Sequence, residues 1–298
     1  MTNLYSDSEE DSMDRENLLQ DVRVFAQEFI RSGDIDPAYP VLKSLYNQME
    51  LTEEQRLWFT FLYVAYYNIA SALLVFSIHP RPEPLRPFLA ALPIQTERRG
   101  LRGGKIMRHV ADYVSNRDPG LYSTAELGSF RKLAEQVWGC GPWASFKWAE
   151  ILKTVHRYPF EFQAGDCITG SGPMKGLELL YGPGASLAKS YFDLQRRLGW
   201  IPVEQVETAL CDFHAMYQGK YYIGHDIDSM QHDIETSPLA EKLGRLPEYQ
   251  VLYKARKASL DNVYVGELHT WAGVDRDRCK VYQKTGQVVY RSCLCHTT

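Results

Sequence analysis

Two helical patterns meet at Trp138-Gly139-Cys140-Gly141-Pro142-Trp143, and this turn constrains the fold more than any other stretch of the chain. Glycines at 139 and 141 allow backbone angles closed to residues with a Cβ. Two of them separated by one residue let neighbouring N–H groups point outward, and the next helix adds its positive N-terminal end. Together these features bind a phosphate. The same turn also serves as a plain joint between two packed helices. The residues downstream of the turn favour the phosphate-binding expectation.

About two dozen residues later come Asp166 and then Gly170-Ser171-Gly172-Pro173-Met174-Lys175-Gly176-Leu177. In base-excision enzymes an acid at that distance from a glycine elbow sits in the pocket that receives an extruded base. Asp166 is therefore the candidate catalytic carboxylate, able to accept a proton or face developing positive charge. An aspartate just before a helical turn is also a good cap. The Gly-Pro-Met-Lys-Gly segment predicts a flexible loop that sets Lys175 beside a phosphate group; a solvated lysine on an ordinary loop is the plainer alternative. Lyase-type glycosylases carry a nucleophilic lysine shortly after the second glycine. Trp143 holds that position here, and Lys147 lies about one turn further on, so lyase chemistry is not expected and Trp143 packs or stacks.

Four further groups carry polar chemistry. Arg98, Arg99, Arg102, Lys105 and Arg108, interleaved with glycines, form the densest basic cluster, as binding to a nucleic-acid backbone requires. Asn68 stands within an apolar, aromatic helical pattern, where its amide either reads a pyrimidine edge or bonds a structural partner. Asp212 and the run Tyr221-Tyr222-Ile223-Gly224-His225-Asp226-Ile227-Asp228 set acids and an imidazole among apolar residues. There Asp212, His225, Asp226 and Asp228 are candidates for binding an amine or tuning a base. Cys211 with His214, and Cys293, Cys295 and His296, are ligand types without the paired spacing of a structural zinc site. Neither a metal nor a cofactor is expected, and no Walker-type loop is present.

Composition is compatible with a DNA partner only through its distribution. Residues 1–16 carry six acids against one base, so a net charge of −4 leaves +1 for the rest of the chain. That acidic, Ser-rich tail lacks apolar periodicity and reads as disordered. Helical spacing begins at Asp14 (Leu18, Leu19, Val22, Phe25, Phe29) and stops at Gly33. Thr52-Glu53-Glu54-Gln55 resembles a capping box opening a long aromatic helix that ends near Pro80. Thr124 and Ser129 are candidate caps for the helix leading into the elbow. Asn262–Val265 and Lys280–Tyr290 alternate as strands do, with a turn at Thr285-Gly286. The expected organisation is a disordered tail over 1–16, a helical catalytic domain over 17–240, and an extension over 241–298 with a β-hairpin. No segment has the length and apolarity of a membrane span, no signal peptide opens the chain, and a reducing cytoplasm is the expected setting.

Taken together, Gly139-Cys140-Gly141-Pro142-Trp143, the spacing to Asp166, the Gly-Pro-x-Lys-Gly-Leu element and Tyr-Tyr-Ile-Gly-His-Asp-Ile-Asp resemble the α-glutamyl/putrescinyl thymine pyrophosphorylase family of bacteriophages, also described as amino acid:DNA transferases. The resemblance covers about Leu51 to Ile234. It implies a mainly α, helix-hairpin-helix DNA glycosylase-like body; the β appendage at the C-terminus is expected from the alternating residues alone. It also implies transfer of an amine, an amino acid or polyamine, onto a phosphate- or pyrophosphate-activated 5-hydroxymethyluracil in double-stranded DNA. On this reading Asp166, Lys175 and His225 are catalytic. Asn68, Trp143, Asp212, Asp226 and Asp228 line the base or amine pocket, and Gly139, Gly141, Arg99, Arg102 and Lys105 hold the DNA backbone. A glycosylase that excises a modified pyrimidine, or a non-catalytic DNA-binding protein, would share the same elbow.

Overall fold

The computed structural model describes residues 6–94, 101–167, 170–184, 186–236, 247–260 and 274–289. The described residues are mainly helical and contain no strand. The chain divides into two compact units: Met1–Asp36, Phe162–Asp226 and Asp275–Ser292 form the first, and Pro37–Glu161, Ile227–Val274 and Cys293–Thr298 form the second. Segments distant in sequence return to each unit.

The second unit is built from α2 (Ala38–Gln48), α3 (Glu53–Tyr66), α4 (Ile69–Ile78), α5 (Gly104–Asn116), α6 (Leu127–Ala134), α7 (Pro142–His156) and a later helix, α13 (Pro247–Ser259). Thr52 and Gln55 make the expected capping box at the start of α3. The aromatic pattern that predicts one long helix is instead two. Tyr67 turns left-handed (φ 47°, ψ 32°) and ends α3, and the extended Asn68 opens α4. Proline ends α4 where expected, just before Pro80. The core is aromatic: Phe61 stacks on Tyr113 with centroids 3.7 Å apart, and Trp148 from α7 meets Phe61, Tyr113 and Phe130. Trp58 is fully buried and its indole N–H donates to the His79 carbonyl at 2.7 Å. Packing of this kind sets both α5 and α7 against α3.

The first unit comprises α1 (Ser6–Arg31), α8 (Ala164–Cys167), α9 (Ser171–Tyr181), α10 (Leu187–Leu198), α11 (Val203–Tyr217) and α14 (Val281–Thr285). Where the sequence suggests a disordered tail, helix runs from Ser6. Its Glu16 carboxylate takes two hydrogen bonds from the Arg197 guanidinium, at 3.0 and 2.9 Å. Arg197 also bonds Asp193, whose pKa is held down at about 2 by Arg196 first and then by Tyr181 and Arg197.

The expected Gly-Pro-Met-Lys-Gly loop is the first two turns of α9. Gly172 and Gly176 lie one helical turn apart and face α11. A Cβ on Gly176 would stand 2.3 Å from the Leu210 carbonyl oxygen, and one on Gly172 would stand 2.5 Å from Cys211 Sγ. These glycines serve close helix packing, which flexibility does not explain. The second alternating segment is likewise not a strand. Arg278–Lys280 form a 3-10 turn, α14 comes next, and Gly286 (φ 64°) is its left-handed C-cap. Tyr282 is buried there, donating to Asp21 at 2.6 Å. The other proposed strand, Asn262–Val265, lies outside the described residues.

α12 (His225–Thr236) begins in the first unit and carries the boundary between the two. No described helix is long and apolar enough to cross a membrane.

Candidate functional site

The elbow lies wholly within the second unit, and α5 clamps it. The Trp138 N–H donates to Asp112 Oδ2 at 2.7 Å, and the Trp138 carbonyl accepts from His109 Nδ1 at 2.5 Å, which fixes the proton of that imidazole on Nδ1. Burial pushes the Asp112 carboxyl up, but the Trp138 N–H, the Asn116 amide and the nearby cations outweigh it and hold the pKa below the ordinary value. The Arg108 guanidinium covers the Trp138 ring at 4.1 Å. Arg102 and Lys105, exposed at the start of α5, add to the positive charge of the helix that clamps the elbow. Arg98 and Arg99 lie outside the described residues.

The two elbow glycines have different causes. Gly139 is left-handed (φ 83°), and a Cβ there would press on Leu101 at 3.1 Å and His109 at 3.3 Å. Local structure alone accounts for it. Gly141 is different: its φ of −82° and ψ of −179° are open to any residue, and a Cβ would meet nothing within 4 Å. The expectation that both glycines need special angles holds for Gly139 only. Gly141 is the exposed N-cap of α7 and gives that helix no side-chain cap, although serine or aspartate would cap it better. A residue without a side chain, where neither angle nor packing asks for one, suits close approach of a ligand to the backbone.

Within the first unit a second cluster forms around Tyr221. The fully buried Asp34 accepts from the Tyr221 hydroxyl at 2.5 Å and from the Gly224 N–H at 2.7 Å. The His225 ring stacks on Tyr221 with centroids 4.7 Å apart, and its Nδ1 donates to Asp226 Oδ1 at 3.0 Å. A carboxylate only accepts, so Nδ1 holds the proton and Nε2 is the basic nitrogen of the neutral ring. Burial pushes the His225 pKa down, but the hydrogen bond to Asp226 and the charges of Asp226, Asp34 and Asp212 outweigh it, and the net shift is upward. Burial, then the same three carboxylates, push the Tyr221 phenol well above its usual range. Three acids about one imidazole make these surroundings favourable to positive charge.

The remaining candidates scatter. Asp166 is the third residue of α8, half-buried, and its Oδ2 accepts from the Gln163 N–H at 2.8 Å; it caps its turn from inside the helix, not from the residue before it. α8 packs on α11, which carries the buried Asp212. Lys175 is exposed on α9, and its charge, after burial, helps to lower the His214 pKa. Asn68 caps α4, its Oδ1 accepting from the Ser71 N–H at 2.9 Å, so the buried amide has a structural task. Half-buried Trp143 meets Tyr67 edge-on at 5.0 Å, next to Asn68 in sequence. Asp228 is buried on α12. Lys147 is fully buried against Glu150, which removes it as an exposed nucleophile. Thr124 and Ser129 do not cap α6, whose N-cap is Glu126. Cys211 and His214 share a helix, but among the described residues no group of three or more metal-ligating side chains forms; Cys293, Cys295 and His296 lie outside them.

Sequence reading misses Asp34 and gives Tyr221 no role. Tyr221 belongs to the same run as His225 and Asp226 and is within reach of such reading. Asp34 is not, since its partner is 187 positions away.

No protein-family model matches the chain, and no curated protein matches it. The architecture alone marks it as a mainly helical protein.

Proposed function

We propose that the protein modifies a thymine-type base in double-stranded DNA, replacing the phosphate or pyrophosphate of an activated 5-hydroxymethyluracil with an amine. The observation that carries this reading is Gly141: an unforced, exposed glycine at an uncapped helix start, in the elbow that α5 clamps, offers backbone donors to a DNA phosphate. The sequence resemblance supplies the reaction class, including a helix-hairpin-helix glycosylase-like mode of base extrusion. The amine is drawn as an ammonium ion toward Asp34, Asp212 and Asp226. His225 Nε2 takes its proton. As the new C–N bond forms at the 5-methylene carbon, the C–O bond breaks and the leaving phosphate keeps the electron pair. Lys175 and nearby donors offset its charge. Asp166 faces the base on the strength of the resemblance alone.

The test is a duplex carrying phosphorylated or pyrophosphorylated 5-hydroxymethyluracil, incubated with the protein and a panel of amino acids and polyamines. The expected product is a base whose mass shows an amine in place of the ester. Release of free base would show a glycosylase instead, and binding without any product a non-catalytic DNA-binding protein. In parallel, Gly141→Ala is expected to fold normally and to bind duplex DNA at least about tenfold more weakly, as loss of one charge-assisted hydrogen bond of ~1.5–3 kcal/mol requires. Unchanged DNA affinity would remove the phosphate-gripping role.

A further inference from the structure

α7 starts at the elbow and ends at a recess that the proposed chemistry does not use. The helix has 15 residues, so the two lie roughly 20 Å apart along it at ~1.5 Å per residue. The recess, with a volume of about 260 Å³, is walled by Lys43 and Tyr46 from α2, Glu53 and Arg56 from the first turn of α3, and His156 and Arg157 at the end of α7. Three fixed cations stand against one carboxylate. The wall is ordered from behind: His156 Nε2 pairs with Thr60 Oγ1 at 2.8 Å, and Thr60 Oγ1 with the Tyr46 hydroxyl at 2.9 Å. The His156 side chain is only 2% exposed, and Arg56 is anchored through Nε to the Leu51 carbonyl at 2.9 Å.

Arg157 supplies an independent observation. It is the C-cap of α7 in the left-handed region (φ 64°, ψ 33°), where glycine is the favoured residue and a side chain adds strain. A strained residue in the wall of a cavity points from the outlier to a task for its side chain. Lys43 and Arg56 give that task its chemistry, since ammonium and guanidinium groups favour phosphate oxygens.

We propose that this recess binds a small phosphate-bearing anion through Lys43, Arg56 and Arg157, apart from the elbow and from the base-modifying chemistry. Its small volume and buried aromatic wall suit a free phosphate or diphosphate group better than a nucleic-acid strand.

The experiment is calorimetric titration of the full chain with inorganic pyrophosphate and, separately, inorganic phosphate. The expected result is a pyrophosphate site that weakens at least tenfold in Arg157→Gly and in Arg56→Gln, and is unmoved by Lys284→Gln, an exposed lysine outside every proposed site. Arg157→Gly is the informative variant, because glycine at a left-handed C-cap removes the cation while keeping or improving the fold, which thermal unfolding checks. The proposal is overturned by no pyrophosphate binding at millimolar concentration, or by binding that Arg157→Gly leaves intact. Loss only in Lys175→Gln would mark the leaving-group site of the proposed reaction. Duplex affinity that falls in Arg157→Gly without any pyrophosphate binding would mark a DNA-backbone contact; either outcome also overturns it. Failure of the amine-transfer assay leaves the expected titration unchanged, so the two readings fail separately.

Discussion

Lys147→Met is expected to destabilise the protein by about 3–5 kcal/mol. Lys147 Nζ lies 2.8 Å from Glu150 Oε2, with the two side chains 0% and 2% exposed, and Tyr39 donates to the same carboxylate at 3.2 Å. Methionine fills similar space but takes from a buried carboxylate the positive charge 2.8 Å away. The double variant Lys147→Met/Glu150→Gln removes both charges and keeps an acceptor for Tyr39. It should recover most of the loss, because desolvating the original pair was itself costly. Urea unfolding of the wild type, the single variant and the double variant measures both effects. Equal stability of the wild type and Lys147→Met would show that the pair is not buried as described.

The second large effect is catalytic. His225→Gln is expected to lower the rate of amine transfer by about 10²–10⁴-fold, the usual contribution of a general base, with little change in DNA affinity. The pH profile adds a readout that a structural role would not move. Because His225 is shifted upward, its neutral, basic form accumulates only above the ordinary imidazole pKa of about 6.5, and the wild-type rate should rise with pH through that higher value. Asp226→Asn removes the bonded carboxylate and should move the rise to lower pH. Stability runs the other way. A raised folded-state pKa means that the protonated ring's contribution is complete below the unfolded value and is lost as pH rises through the folded one. A rate profile unchanged by Asp226→Asn would remove His225 from the proton transfer.

Legibility in the sequence varies with the range of the interactions. The Thr52 capping box, the helices on either side of the elbow and the stop before Pro80 are decided within a few residues, and each lies where its local chemistry puts it. The misreadings share a cause: one local pattern serves two structures. Glycines four apart in Gly172 and Gly176 fit a loop or a close helix contact, and only the approach of Leu210 chooses between them. Val281–Thr285 alternates as a strand would, yet burying Tyr282 against Asp21 needs just one helical turn. Asn68 sits in an unbroken apolar pattern, and the left-handed Tyr67 that turns it into a cap leaves no mark on that pattern. For the site, the acids and imidazole near Tyr221 are visible as types in one motif. Asp34, which orients Tyr221 from far along the chain, comes only from tertiary structure.

The decisive measurement for the proposed reaction is nucleoside mass analysis of DNA made in cells with and without this protein, in a background that supplies activated 5-hydroxymethyluracil. The expected result is a new nucleoside, present only with the protein, whose mass corresponds to one amine in place of the phosphate ester, and its loss in His225→Gln. Identical nucleoside compositions in the two DNAs, with the activated base persisting in both, would rule out amine transfer by this chain.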